Sequence, residues 1–138
     1  MKIGDVIARI QQACPDFATV DHLMTSPSDF EKPAALVTPV RNRGSAPSIM
    51  IPGAYDQDVS SIIGVYVILE RRQNGAFDNG VADLFDTLTT SLRTALVNWY
   101  PTGLIQPIVY AGGEMAPYET GLVAWREDFA IEFEMRLP

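Results

Sequence analysis

From Asp128 to Leu137 the chain alternates in character. Phe129, Ile131, Phe133, Met135 and Leu137 are apolar, while Asp128, Ala130, Glu132, Glu134 and Arg136 stand between them. Side chains along a β-strand point to opposite faces in turn, so this spacing demands a strand with one face on a core and one toward solvent or a partner. A sheet is therefore obligatory. The strand reaches back to Leu122, with a break expected near Arg126-Glu127.

A second segment, Ser60 to Glu70 (SSIIGVYVILE), is rich in β-branched residues and apolar nearly throughout. That composition predicts a strand covered on both faces. The covering layer comes from two helical patterns. Ile3, Val6, Ile7, Ile10 and Cys14 recur at helical spacing, and Pro15 stops the pattern because it disfavours helical geometry in the residue before it. Val81, Leu84, Phe85, Leu88, Leu92, Ala95, Leu96 and Trp99 form an apolar stripe on a longer helix from Val81 to about Trp99. Asp83 and Asp86 near its start and Arg93 later suit the helix dipole, on the opposite side from the stripe. Pro101 and Gly103 end it.

The remaining segments are less regular. Phe17 to Met24 reads as a short strand of poor pattern, and Ser26 to Lys32 as a turn. Ala34 to Val40 reads as a strand in which Pro39 marks an edge or a bulge. Residues 41–58 (RNRGSAPSIMIPGAYDQD) form a long irregular loop or an extended hairpin arm, of the length usually reserved for function. Arg71 to Gly80 carries Asn-Gly twice and reads as a polar turn. Leu104 to Ala111 reads as a strand interrupted by Pro107, and Gly112 to Thr120 as a loop. The expected fold is α+β: a small mixed or antiparallel sheet of four to five strands, two helices packed on one face, and an extended arm. The whole of 1–138 is expected to be a single domain.

Net charge is −7, from 17 acids against 10 bases. This argues against a duplex-DNA binder that neutralises phosphates. Cys14 is the lone cysteine, so no intramolecular disulfide is possible. The longest apolar run, Ile62 to Leu69, is too short to span a bilayer, and no signal core follows Met1-Lys2. A soluble, intracellular protein with no membrane association is expected.

The residues that chemistry needs are scarce. His22 is the lone histidine and lies in a weakly patterned segment, a poor prospect for a catalytic base. Cys14 lies on an apolar helix stripe and reads as a buried structural thiol. Zinc needs several Cys or His ligands at close spacing. Asp56-Gln57-Asp58 lacks the rest of a calcium loop. Glu127-Asp128 and the pair Glu132, Glu134 could serve acid–base work, but 128, 132 and 134 share one strand face, as a solvated or interfacial face would. Gly112-Gly113 is followed by Glu114 rather than a phosphate-binding helix. No catalytic, cofactor or metal residues are assigned.

Surfaces are better represented. Arg41 and Arg43 stand at the mouth of the arm, Arg71-Arg72 end the central strand, and acids crowd the last strand. Ile49, Met50, Ile51 and Tyr55 place apolar groups on a loop that has little reason to expose them unless it meets something. The candidate interface residues are Arg41, Arg43, Ile49, Met50, Tyr55, Glu132 and Glu134. A basic arm and an acidic sheet edge suit head-to-tail pairing, which closes a ring when the rotation permits. A tube or connector component, or a small ligand-binding or enzymatic α+β domain, is the alternative.

The stretches VADLFDTLTTSLRTALVNWYP and PIVYAGGEMAPYETGLVAWREDFAIEFEMR resemble the tail terminator-like proteins of long-tailed bacteriophages and prophages, Mu-like ones among them. A helix ends in Trp99 and Pro101. Tyr110, Gly112 and Gly113 follow, then Trp125, Phe129 and Phe133. PAALVTPV, the Pro/Gly-rich loop and SIIGVYVILE match in kind, so the resemblance spans about residues 33–136. It implies a non-enzymatic α+β virion subunit that forms a homohexameric ring, caps the tail tube protein, and meets head–tail connector or neck proteins, and sheath protein where the tail contracts. It implies no cofactor, DNA passing the lumen without specific binding, and assembly in the host cytoplasm.

Overall fold

A computed structural model describes residues 1–23, 29–70, 79–117 and 121–137. Helix α1 spans Ile3–Ala13 and buries Val6, Ile7 and Ile10. At its start the Asp5 carboxylate accepts the Lys2 backbone N–H at 2.7 Å, which satisfies a donor and places an anion at the positive end of the helix dipole. Cys14 follows it and is buried, as its place on the stripe predicts. Burial, with Asp16 beside it, pushes its thiol pKa up.

Six strands follow: β1 (Thr19–His22), β2 (Ala34–Gly44), β3 (Ile49–Ile51), β4 (Ala54–Glu70), β5 (Val109–Ala116) and β6 (Leu122–Leu137). Helix α2, Asn79–Leu96, lies between β4 and β5 in sequence. The strand order is β1-β2-β4-β6-β5, with β3 paired to the start of β4. β1 runs parallel to β2 and every other pairing is antiparallel, so the sheet is mixed. This is the expected α+β fold with more strands, because the arm is itself sheet.

Both helices lie on one face. There α1 and α2 pack on Ala35 and Val37 of β2, alternate β4 residues from Ile63 to Leu69, and Val123, Phe129 and Ile131 of β6. Among the described residues the other face holds a small apolar cluster at one end, where Phe30 packs with Ala34, Leu36, Ile68 and Ala124. β4 is therefore covered on both faces only toward that end, not throughout as its composition suggests.

Two expectations that left alternatives open are decided, and others are corrected. Of the loop and the hairpin arm expected over residues 41–58, the chain forms the hairpin, since Arg41–Gly44 pair with Val59–Ile62 and β3 pairs with Ala54–Asp56. Pro39 is in a bulge, but its strand is not an edge: β2 lies between β1 and β4. β1 reaches only to Val37, so the missing Pro39 N–H deprives no partner on that side. The last strand runs unbroken through Arg126-Glu127, because each side chain finds partners on its own face. Finally, β5 begins at Val109 and contains Gly112-Gly113. Leu104 makes a single bridge to Phe133. Ahead of the strand, the Asn98 N–H donates to the Ile108 carbonyl at 2.8 Å and the Ile108 N–H to the Trp99 carbonyl at 2.9 Å, which ties this stretch to the helix end. Helix α2 stops at Leu96, two residues before Asn98 takes a left-handed φ of 66°. The polar turn expected over Arg71 to Gly80 lies outside the described residues up to 78, as does the turn expected over Ser26 to Lys32 up to 28.

Candidate assembly surface

Three of the residues that carry the tail terminator resemblance, Tyr110, Gly113 and Trp125, converge on a carboxylate. Glu127 of β6 shares a strand face with Val123, Trp125 and Phe129, so its side chain enters the helix-covered side of the sheet, where it is fully buried. Arg93 reaches across from α2 and grips both oxygens, Nε to Oε2 at 2.5 Å and Nη2 to Oε1 at 3.0 Å. The Tyr110 hydroxyl donates to Oε1 at 2.9 Å and the Trp125 indole N–H at 2.6 Å. The Arg93 guanidinium also lies 4.7 Å from the Tyr110 ring centre. Burial alone would push the Glu127 carboxyl up; the donors from Arg93, Trp125 and Tyr110 outweigh it and hold its pKa below the ordinary carboxylate range.

This arrangement explains the double glycine. A Cβ at Gly113 would lie 2.6 Å from Glu127 Oε1 and 2.8 Å from the Trp125 ring, so only glycine fits beneath the carboxylate. Gly112 follows a bulge at Ala111 and takes a φ of 123°, which other residues rarely adopt. Arg93 was expected on the exposed side of α2 as a charge for the helix dipole. It instead pins the helix to β6 and β5.

The open face of the sheet carries most of the expected interface residues. In the register, Arg41 lies beside Ile62 and Ala130, and Arg43 beside Ser60 and Glu132. Glu134 stands opposite Asp58 on the same face. Bases and acids thus share one face rather than occupying opposite ends of the subunit. Neither Arg41 nor Arg43 forms an ion pair among the described residues. Further along, Arg126 lies over Gly64, where a Cβ would meet its chain at 3.0 Å, and bridges Asp128 at 2.8 Å and Glu114 at 2.9 Å.

At the root of the arm the carboxylates of Asp56, Asp58 and Glu134 come within 4.8 Å of one another. Burial and the nearby Glu134 raise the Asp56 pKa, and Arg136 opposes them only in part. Above this root the arm is held by its backbone, with Ser45 N–H to the Asp58 carbonyl and Ser48 N–H to the Asp56 carbonyl, both at 2.9 Å. Tyr55 is half-buried and donates to Gln57 Oε1 at 2.9 Å, and the Gln57 amide donates to the Ser45 carbonyl. At the tip Ile49, Met50 and Ile51 are 45%, 73% and 64% exposed. His22 is half-buried on β1, where the outer strand leaves it partly in solvent.

The sequence model described as phage tail terminator protein matches residues 1–137. A chain from the virion of a native gene transfer agent particle has the same fold, with a TM-score of 0.53 at 11% identity over 94% of this chain and 92% of that one. No curated protein matches the sequence.

Proposed function

The chain belongs to the phage tail terminator family, whose members are structural tail proteins and not enzymes, and from that premise we propose that it closes the tail tube with a ring of its own copies. The ring is a homohexamer whose one face matches the tail tube protein and whose other face does not, so tube growth stops there. That second face receives head–tail connector or neck proteins, and sheath protein abuts the ring if the tail is contractile. The whole chain works as one domain, with residues 41–58 as its arm. It is made and assembled in the host cytoplasm and ends in the virion.

The observation that carries this reading is the family match over the full described length. Two features of the subunit favour it. An arm with an uncharged apolar tip projects from a sheet whose open face carries Arg41 and Arg43, without an ion-pair partner among the described residues, near Glu132 and Glu134. A net charge of −7 suits a lumen through which DNA slides without sticking. The test is light scattering on the purified chain, alone and with tail tube protein. A fixed species near six subunits that shortens or halts tubes supports the cap. Open fibres of this chain alone would make it a tube component, and a lasting monomer would end the ring reading.

A further inference from the structure

We infer that the tip strand β3 of one subunit adds to the free long edge of β5 on a neighbouring copy. The inference rests on the ring reading and specifies its contact. β5 is the last strand of the sheet, and among the described residues no strand pairs its outer side. Long exposed edges invite pairing, and proteins guard them with Lys, Pro, bulges or short length. The opposite edge, β1, has only four residues. β5 has eight and contains no Lys, Arg or Pro. Its one acid, Glu114, is drawn to Arg126 across the open face. The bulge at Ala111 guards the first half only; Gly112 to Ala116 run in unbroken register with β6. Val109 and Met115, near the two ends of β5, are 49% and 61% exposed.

The arm supplies a match. β3 pairs with β4 on one side, and its other side has no strand partner among the described residues. From Ser45 to Tyr55 the chain carries no charge, and Ile49, Met50 and Ile51 belong to neither core cluster. Pro47 and Pro52 flank β3 and hold it to one short strand. Short extended segments dock on sheet edges through their backbone, with side chains in register setting the fit.

The partner is a second copy because one chain carries both halves and cannot join them itself. β4 runs continuously from Ala54, opposite β3, to Ile62 and Ile68, whose rows hold the two ends of β5. At about 3.3 Å per residue that separates tip and edge by roughly 25 to 45 Å. A contact between different patches on successive copies is heterologous, the kind that closes rings. Three residues of pairing are weak singly, but closure makes each contact in effect intramolecular.

The test uses cysteine cross-linking in the full chain. Met50→Cys carrying one tag is mixed with Met115→Cys or Val109→Cys carrying another, and the assembled species is oxidised; wild type, with Cys14 buried, is the background. Disulfides joining the two tags are expected, and Met50→Asp should shrink the assembled fraction at least tenfold with an unchanged circular dichroism spectrum. Rings that form with only same-variant disulfides, or none, would overturn the β3–β5 contact and leave the ring standing. A wild-type chain that stays monomeric, with no mixed disulfide, would overturn both.

Discussion

Arg93 and Glu127 form an ion pair whose two ends differ: the Glu127 side chain is wholly buried, while that of Arg93 is 43% exposed. Removing the cation strands a buried charge, which costs about 3–5 kcal/mol, whereas removing the anion frees an arginine that can turn to water. Arg93→Ala should therefore destabilise the subunit by about 3 kcal/mol or more in urea unfolding, and Glu127→Gln by clearly less; equal losses would show that the pair acts only through packing. The pH dependence has a definite sign. The folded-state pKa of Glu127 is depressed below the ordinary value of 4.5, so its contribution is complete above that value and is lost as the pH falls through the folded value. Glu127→Gln should flatten the acid limb of the stability curve, measured by urea midpoints between pH 6 and 2.5. Gly113→Ala drives a methyl into the same carboxylate and indole, and overpacking of this kind costs about 1–3 kcal/mol, read as a lowered urea midpoint.

At the scale of elements, the arm and the core are separable. No residue of 41–58 belongs to either core cluster, and Arg41 and Arg43 stand on the open face without an ion pair among the described residues. Reversing both to Glu should change the unfolding free energy, read from urea titration, by no more than about 0.5 kcal/mol per substitution, the usual range for exposed positions. It should weaken self-association in sedimentation velocity; unchanged assembly would remove these arginines from the contact. Period-two spacing made β6 legible and helical spacing both helices, because burial on one face writes itself into the sequence, while the second half of β4 showed in its β-branched, apolar composition. The arm was legible only as a loop or a hairpin, since exposed strands carry no alternating burial to decide between them. The start of β5 was hidden for another reason: Leu104 and Ile108 are buried like strand residues, but the Leu104 N–H donates to the Pro101 carbonyl, and Ile108 exchanges backbone bonds with Trp99 and Asn98 around the turn. The Glu127 site was legible in principle. The alternation that places Phe129 on the core also places Glu127 there, and a charge on an apolar face requires a cation. Arg93 was missed because its long side chain reaches sideways from the flank of the helix stripe, which spacing alone does not reveal.

For the whole molecule, two electrostatic effects of opposite sign meet in assembly, and their ranges separate them. Each copy carries a net −7, so copies brought together repel over long distances. Arg41 and Arg43, unpaired among the described residues, attract carboxylates of a neighbour only at short range. The Debye length is about 30 Å at 0.01 M salt, about 8 Å at 0.15 M and about 3 Å at 1 M. Raising salt from 0.01 to 0.15 M screens the net repulsion, which acts across the subunit, and leaves the local attraction largely intact. Raising it further to 1 M weakens the local pairs as well, while the apolar contacts of Ile49, Met50 and Ile51 hold. Self-association measured by sedimentation should therefore rise to a maximum at intermediate salt and then fall to a plateau above zero. In the Arg41→Glu/Arg43→Glu variant the falling limb should vanish, so that affinity rises with salt throughout, because reversal deepens the repulsion and removes the attraction. A monotonic fall for the wild-type chain would mean that local ion pairs dominate at every distance. A monotonic rise would mean that the two arginines never meet an acid on the neighbouring copy.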